Sequence, residues 1–379
     1  MSSEKTVFFS GINGLRFFAA LAVIITHTEL MKGVFGFTNY WDSPLIFNLG
    51  GLGVYFFFVL SGFLITYLLL KEKEKFGRIH VKAFYMRRIL RIWPLYYLIL
   101  LLGFFILPHF SQIQIPYLLT DFNDYFGTNL LFYLLILPNV AYSFFTAVPH
   151  IGQSWSIGIE EQFYIVWPWL ISRSKNILKT LFVVVIALIL FKVVILVLGH
   201  FYSQDNWYAG IKRLVAMSKF ECMAIGGFGA FYLFTNKTSI LNFAYKKLVL
   251  FTALGLIPIL VYITPDFIQD GIHLVYSILF LIVILNVAKR DKLFENPVLS
   301  YLGKISYGIY MYHLMIIPIV LFAFKHYLIL DEGFLLNTLI YLAVISITIM
   351  VSALSYNLFE NYFIRLKHTF SLIKSGKKD

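Results

Sequence analysis

The sequence predicts an all-α integral membrane protein with about ten transmembrane helices and both termini in the cytoplasm. Of its 379 residues, 60% are hydrophobic and 13% are charged, and the mean hydropathy is +0.80. Apolar runs long enough to cross a bilayer recur along nearly the whole chain. Lysine and arginine residues gather in alternate short loops, which is the pattern that the positive-inside rule describes.

The apolar runs define the predicted spans. Ten runs come close to the twenty or so residues that a bilayer requires. They are 12–31, 50–70, 92–109, 155–172, 178–199, 214–235, 247–264, 271–288, 302–325 and 334–360. Since these runs occupy most of the chain, we expect one membrane domain over residues 1–379. The last run ends close to residue 379, so no appended soluble domain is expected.

A further apolar run at 128–147 is interrupted by Pro138 and Asn139. With ten crossings and both termini in the cytoplasm, cytoplasmic segments contain 23 of the 31 lysines and arginines. An eleventh crossing at 128–147 would invert every later loop and move 14 of these cations outside. Because of this charge distribution, we expect 128–147 to be a re-entrant or interfacial segment.

Composition also excludes several classes of function. The single cysteine, Cys222, excludes an intramolecular disulfide and a cysteine-rich metal site. No histidines have the spacing of a metal motif, so no metal is expected. The net charge of +12 lies largely in short loops between spans, which indicates membrane topology rather than nucleic-acid binding.

Arg16 and His27 lie in the first apolar run with ten residues between them. Eleven residues of α-helix make about three turns, so both side chains project from nearly the same face, about 16 Å apart along the axis. A cation within a membrane helix is costly, and histidine can exchange a proton near neutral pH. The pair therefore predicts a functional site, with Arg16 toward the cytoplasm and His27 toward the outer half.

Three arginines begin the third predicted span: Arg87, Arg88 and Arg91. They could simply anchor the span by the positive-inside rule and contact anionic lipids. They could instead bind a phosphorylated cytosolic ligand, because the planar guanidinium group donates pairs of hydrogen bonds to phosphate. Three arginines within five residues favour the ligand site.

Two adjacent acids, Glu160 and Glu161, lie inside the span at 155–172. A carboxylate at that depth costs about 2–3 kcal/mol or more unless it is paired, protonated or hydrated. It could form an ion pair with Arg16, or it could orient His27 or handle a proton. Since adjacent helical residues point about 100° apart, one acid is expected to face the site.

Other polar residues within the spans have simpler interpretations. His313 lies within the ninth predicted span, with Tyr307 and Tyr310 along a similar face. A lone membrane histidine is more often a hydrogen-bonded packing residue than a catalyst. Ser61 and Gly62 lie in the second span, where small residues permit close approach of another helix.

Five segments, in order between residues 14 and 313, resemble the acyltransferase-3 family of membrane acyltransferases, which includes bacterial O-antigen O-acetyltransferases. They are GLRFFAALAVIITH, FFFVLSGFLI, RRILRIWPLYY, SWSIGIEEQFYIVWPWL and ISYGIYMYH. Each segment is weak evidence by itself, but the ordered set of five is specific. One departure is Gln153-Ser154 before Trp155, where many members have a histidine two residues before the tryptophan.

The resemblance implies an O-acetyltransferase of the bacterial inner membrane. The expected reaction moves an acyl group, commonly acetyl, from cytosolic acetyl-CoA to a hydroxyl of a carbohydrate, in a surface polysaccharide or a glycolipid. It also implies that Arg87, Arg88 and Arg91 hold the phosphates of the acyl-CoA. Arg16 would then steady the coenzyme or a developing oxyanion.

In the same scheme, His27 takes the proton of the acceptor hydroxyl, and Glu160 fixes the imidazole tautomer. Alternatively, His27 carries the acyl group covalently. Supporting or substrate-binding roles fall to Trp155, Ser61, Glu161, Tyr307 and His313. A proton-coupled secondary transporter of a small polar substrate is the other functional class that intramembrane Arg, His and Glu would suit, although the absence of a clear sequence repeat argues against it. The sequence makes no prediction of oligomeric state.

Overall fold

The computed structural model describes residues 9, 11–202, 205–264, 269–289, 296–328, 331 and 333–373. Of these described residues, 86% are helical and none forms a β-strand. The predicted all-α membrane class is therefore confirmed. The orientation of the termini stays a prediction.

Helices follow one another along the described chain, most of them joined by short turns. They are α1 (Ile12–Val34), α2 (Pro44–Phe76), α3 (Val81–Leu101), α4 (Pro116–Asp124), α5 (Phe126–Leu134), α6 (Pro138–Phe144), α7 (Trp155–Arg173), α8 (Ile177–Tyr202), α9 (Asn206–Met217), α10 (Phe220–Phe234), α11 (Thr238–Ala244), α12 (Lys247–Ile263), α13 (Gln269–Lys289), α14 (Pro297–Lys304), α15 (Ser306–Tyr327), α16 (Phe334–Ser355) and α17 (Asn361–Lys367). π-helical turns extend α3 over Leu102–Ile106 and α16 over Tyr356–Glu360.

Each predicted span lies mostly in helix, but the described helices are more broken than the apolar runs suggest. By length and composition, eight helical stretches of the described chain can cross a membrane, or nine if the bent pair α11–α12 counts as one span. The bend between these two helices is 57°. Helix α7, at 19 residues, is not among the eight, and its two adjacent acids followed by Gln162 make it less apolar than its neighbours.

The segment 128–147 is divided into the two short helices α5 and α6. Between them, Ile136 has a φ of 58°, a left-handed conformation that is strained for a β-branched side chain. Pro138 then begins α6, as expected for a residue that cannot continue a helix. Neither nine nor seven residues of helix spans a bilayer alone. The re-entrant or interfacial placement of this segment stays a prediction.

Glycines let α2 and α10 pack with their backbones in contact. A Cβ atom on Gly62 would overlap the backbone of Met223, and one on Gly226 would overlap the carbonyl of Val59. Close approach of this kind is how membrane helices gain packing energy without a hydrophobic driving force. The expected role of Gly62 is thus observed, and the contact holds the neighbouring Ser61 at a fixed position in the bundle.

Replacement of Gly226 by alanine should destabilise the bundle. Because the added methyl group has only backbone to displace, we expect Gly226→Ala to lower the free energy of unfolding by about 2 kcal/mol or more. Gly255→Ala in α12 is the matched control, since its methyl group would have no described neighbour within 4 Å, and it should change stability by at most about 1 kcal/mol. Unfolding in mixed micelles measures both, and equal stabilities would contradict the packing argument.

Candidate active site

A cavity of about 140 Å³ lies among α1, α2, α3, α7 and α15. Six of the site residues predicted from the sequence line it, and they come from all five helices. They are Arg16, Ser61, Arg88, Arg91, Glu160 and Tyr307. The fold therefore gathers into one place residues that are up to 291 positions apart along the chain. We call this space the arginine cavity.

Glu160 is the acid that faces the arginine cavity. Its Oε1 accepts a hydrogen bond of 2.7 Å from the Ser61 hydroxyl, which in turn lies 3.3 Å from the Tyr164 hydroxyl. Glu161 does not line the cavity, and its Oε2 accepts a hydrogen bond of 2.9 Å from Nε1 of Trp93. The two adjacent acids thus have different surroundings, as their angular separation on a helix requires.

The arginines of the cavity are held by contacts that leave donors available. Arg88 stacks on the rings of Phe84 and Tyr164 at 5.7 and 5.8 Å. Arg91 donates to the carbonyl of Lys304 at 3.1 Å. Arg16 bonds the side chain of Asn13 at 3.5 Å. None of these three guanidinium groups lies within ion-pair distance of a described carboxylate.

The charges on the cavity wall are therefore unbalanced. Three guanidinium groups and one carboxylate, that of Glu160, belong to the lining. The Nε of Arg88 is also buried without a hydrogen-bond partner among the described residues. Since an uncompensated cation is costly inside a membrane domain, the cavity is suited to a ligand that brings negative charge.

Arg87 lies outside the lining of the arginine cavity. Its Nη2 is 3.0 Å from Oε2 of Glu72, and its Nη1 donates to the carbonyl of Phe370 at 2.9 Å. The other oxygen of Glu72 accepts from the backbone N–H of His80 at 2.7 Å. Arg87 therefore ties α2, α3 and the segment after α17 together. The structure brings Arg88 and Arg91 together in the cavity, and it places Arg87 in this separate network.

His27 has another histidine as its neighbour, rather than Glu160. Its Nδ1 lies 3.0 Å from Nε2 of His313 and 3.1 Å from the carbonyl of Val23. The Nδ1 of His313 lies 2.6 Å from the carbonyl of Tyr310. A carbonyl only accepts, so His313 carries its proton on Nδ1 and accepts on Nε2. This assigns the His27 proton to Nδ1 and leaves its Nε2 with a lone pair for chemistry.

Tyr310 connects the arginine cavity to this histidine pair. Its ring lines the cavity, while its carbonyl holds His313. Its hydroxyl lies 2.7 Å from the hydroxyl of Ser156 and donates to the carbonyl of Gln153 at 3.0 Å. Along α15, Tyr307, Tyr310 and His313 follow each other at intervals of three residues. Polar groups therefore extend along one side of α15 from the arginines to His27.

The remaining predicted residues support the site from outside the cavity lining. Trp155 packs its ring edge-on against Phe58, with centroids 6.4 Å apart. Gln153 is buried, and its side-chain amide donates to the carbonyl of Met311 at 2.5 Å. Gln153 thus joins the start of α7 to α15. Among the described residues, no group of three or more His, Cys, Asp or Glu could hold a metal ion.

Comparison with known proteins identifies the family of the chain. Residues 9–357 match the profile of the family described as an acyltransferase domain, acyltransferase-3. The chain belongs to the acyltransferase-3 family. Membership implies an acyl donor and an acceptor, and the apolar helices make this member an integral membrane protein. No solved structure matches the chain.

Two similar proteins come from Staphylococcus aureus. In strain COL, the protein named "Putative O-acetyltransferase SACOL0978" is 28% identical over 378 residues, which covers 95% of this chain and 58% of the relative. In strain NCTC 8325, the O-acetyltransferase OatA is 28% identical over 374 residues, which covers 92% of this chain and 56% of that protein. The chain thus spans just over half the length of these relatives.

The ion pair between Arg87 and Glu72 allows a test of whether Arg87 has a structural role. Glu72 is 1% exposed, so Glu72→Gln leaves a largely buried guanidinium group without its carboxylate, and we expect a loss of about 3 kcal/mol in the free energy of unfolding. Arg87→Gln should cost a similar amount, and the double variant should cost less than the sum.

Glu74→Gln, two residues further along α2, is the matched control. Its ion pair with Lys71 is solvent-exposed and should contribute at most about 1 kcal/mol. Unfolding monitored by circular dichroism gives all four values. Equal small losses for Glu72→Gln and Glu74→Gln would show that Arg87 has no structural role.

Proposed function

We propose that this chain transfers an acetyl group from cytosolic acetyl-CoA to a hydroxyl of a carbohydrate in a surface polysaccharide or a glycolipid, at the bacterial inner membrane. The main support is an arginine-lined cavity whose wall includes Tyr310, because the carbonyl of Tyr310 holds His313 in contact with His27. The family gives acyl transfer, and the names of the relatives give O-acetylation as the reaction class.

The donor binds with its phosphates in the arginine cavity. Arg16, Arg88 and Arg91 supply an excess of positive charge there, and guanidinium groups bind phosphate oxygens in pairs. Arg87 takes no part in this binding, because Glu72 and Phe370 already use its donors. The pantetheine arm follows the side of α15 that carries Tyr307 and Tyr310, which brings the thioester toward His27.

His27 acts as the general base. Its Nε2 takes the proton of the acceptor hydroxyl while that oxygen attacks the thioester carbonyl. The tetrahedral intermediate then collapses, the C–S bond breaks, and the CoA thiolate leaves and takes up the proton. His313 is a positioning residue, since it accepts the Nδ1–H of His27 and so keeps the lone pair on Nε2.

Arg16 and Glu160 act at the donor end. Arg16 is eleven residues, or about 16 Å of helix, from His27, so it binds phosphate rather than the oxyanion of the reaction. Glu160, held by Ser61, offsets part of the cavity's positive charge and accepts a hydrogen bond from an amide N–H of the donor. This assignment differs from the role at His27 that the sequence suggests for Glu160.

The activity is tested with the purified chain in nanodiscs. Acetyl-CoA is supplied with a panel of cell-envelope glycans, and free CoA and acetyl esters on the glycan are measured. Release of CoA that requires a glycan, with one ester formed per CoA released, is the expected result. Movement of a polar solute across the membrane without consumption of acetyl-CoA would instead identify a transporter.

Loss of Arg88 should weaken donor binding. Because one charge-assisted hydrogen bond is worth about 1.5–3 kcal/mol, Arg88→Ala should raise the dissociation constant for acetyl-CoA about tenfold to a hundredfold. Lys82→Ala, an exposed position earlier in α3, removes the same charge away from the cavity and should change it less than about twofold. Thermal stabilisation by acetyl-CoA measures both. An equal effect of the two variants would contradict the phosphate site.

Loss of the histidine pair should affect catalysis more than binding. His27→Gln should lower kcat by about 10²–10⁴-fold, the range for loss of a general base, with little change in acetyl-CoA affinity. His313→Gln should lower kcat less, since a glutamine can still accept from His27. His326→Gln is the control on the same helix, because His326 is exposed and its hydrogen bond is to the backbone carbonyl of Phe322. Full activity of His27→Gln would overturn the mechanism.

A further inference from the structure

A second cluster of charged side chains lies away from the arginine cavity, where α8, α10 and α13 meet. Oε1 of Glu221 accepts from both the Lys192 ammonium and Nε2 of His273, the latter at 2.5 Å. Nδ1 of His273 lies 3.4 Å from the ammonium of Lys219. None of these four residues lines the arginine cavity, and the proposed acetyl transfer uses none of them.

A cavity of about 370 Å³ adjoins this cluster, bounded by α8, α9, α10 and α13. We call it the lysine cavity. Most of its wall is aliphatic, formed by residues such as Ile189, Val193, Leu196 and Val215. The charged part of the wall comprises Lys192, Lys212, Lys219, Glu221 and His273. It is therefore an apolar space with a positively charged end.

The positive charge on this wall exceeds the negative charge of its described residues. The ammonium group of Lys219 already contacts His273 and lies 5.8 Å from the ring of Tyr55. Lys192 and Lys212 then face one carboxylate, that of Glu221. Cations next to aliphatic walls favour an anionic ligand.

The helices around the lysine cavity indicate that it opens toward lipid at the membrane surface. Helix α9 has twelve residues with apolar and basic faces, and it includes the exposed Trp207, Lys212 and Arg213. An amphipathic helix with an exposed tryptophan and basic residues is typical of the membrane interface. In the apolar stretch of helix α8, 6% of the residues are buried within the protein, and Val193 is 47% exposed. Its aliphatic surface is thus available to acyl chains.

We propose that the lysine cavity binds an anionic membrane phospholipid, with the phosphate at Lys192 and Lys212 and the acyl chains along α8. Lysine binds phosphate as a point charge and needs no fixed geometry, which suits a headgroup at a bilayer surface. A phospholipid satisfies both parts of the wall at once, since its phosphate meets the ammonium groups and its chains meet the aliphatic residues.

The test compares two neighbouring cations of α9. Lys212 lines the cavity and Arg213 does not, although both are exposed. The full chain, purified in detergent, is titrated with phosphatidylglycerol or phosphatidylcholine, and bound lipid is counted by native mass spectrometry. Lys212→Gln should weaken phosphatidylglycerol binding about fivefold, the effect of one lysine near an anionic headgroup, and Arg213→Gln should weaken it less than about twofold. Equal effects of the two variants would overturn the proposal.

Two further measurements test whether the cavity binds an anionic lipid specifically. Phosphatidylcholine should bind more weakly than phosphatidylglycerol and should be insensitive to Lys212→Gln, and equal affinity for the two lipids would overturn an anionic site. Inorganic phosphate alone should stabilise the chain less than phosphatidylglycerol does, and equal thermal stabilisation would assign the cavity to free phosphate instead of lipid. Lys192→Gln is avoided, because it leaves the buried carboxylate of Glu221 without its ammonium partner.

Discussion

The constraint on which this structure depends is that a charge within a membrane domain must find a compensating group. The carboxylate of Glu29 is fully buried, and both of its oxygens have compensating partners. Its Oε1 accepts from Lys32 at 2.8 Å and from the Tyr341 hydroxyl at 2.6 Å, and its Oε2 accepts from the backbone N–H of Tyr40 at 2.5 Å. Such a closed network stabilises the fold. The arginine cavity leaves its cations without ion-pair partners among the described residues, and that difference supports our proposal that the cavity binds an anionic ligand.

The sequence predicted the helices well, because the cost of burying polar backbone in lipid makes long apolar runs unmistakable. It predicted their interruptions less well. The run at 214–235 is divided between α9 and α10 at Ser218 and Lys219, a break that hydropathy does not register. The break before Pro138 was visible, because proline lacks the N–H that a continuing helix requires.

Within the site, the spacing of residues along the sequence identified candidate side chains, but it could not identify the groups that those side chains contact. The geometry of one helix predicted that only one of the two adjacent acids would face the site, and the family resemblance pointed to Glu160. The location of Arg87 depends on Glu72 and on the carbonyl of Phe370, which no spacing rule connects to it. Likewise, His27 and His313 are 286 residues apart, so each looked like a lone histidine until α1 and α15 were placed side by side. In the proposed mechanism, the neutral imidazole of His313 orients His27 without placing a negative charge beside the reacting thioester.

In the proposed mechanism, the spacing of Arg16 and His27 along α1 also sets the length of donor that can react. A donor anchored by phosphate at Arg16 must reach His27 across about 16 Å of helix before its acyl carbon can react. Acetyl phosphate, whose acetyl and phosphate groups share one oxygen, would stay at the arginine end with its carbonyl far from the base. In the proposed mechanism, the protein would thus choose among acetyl donors by the length of the arm between anchor and acyl group, without any contact that recognises the acetyl group itself.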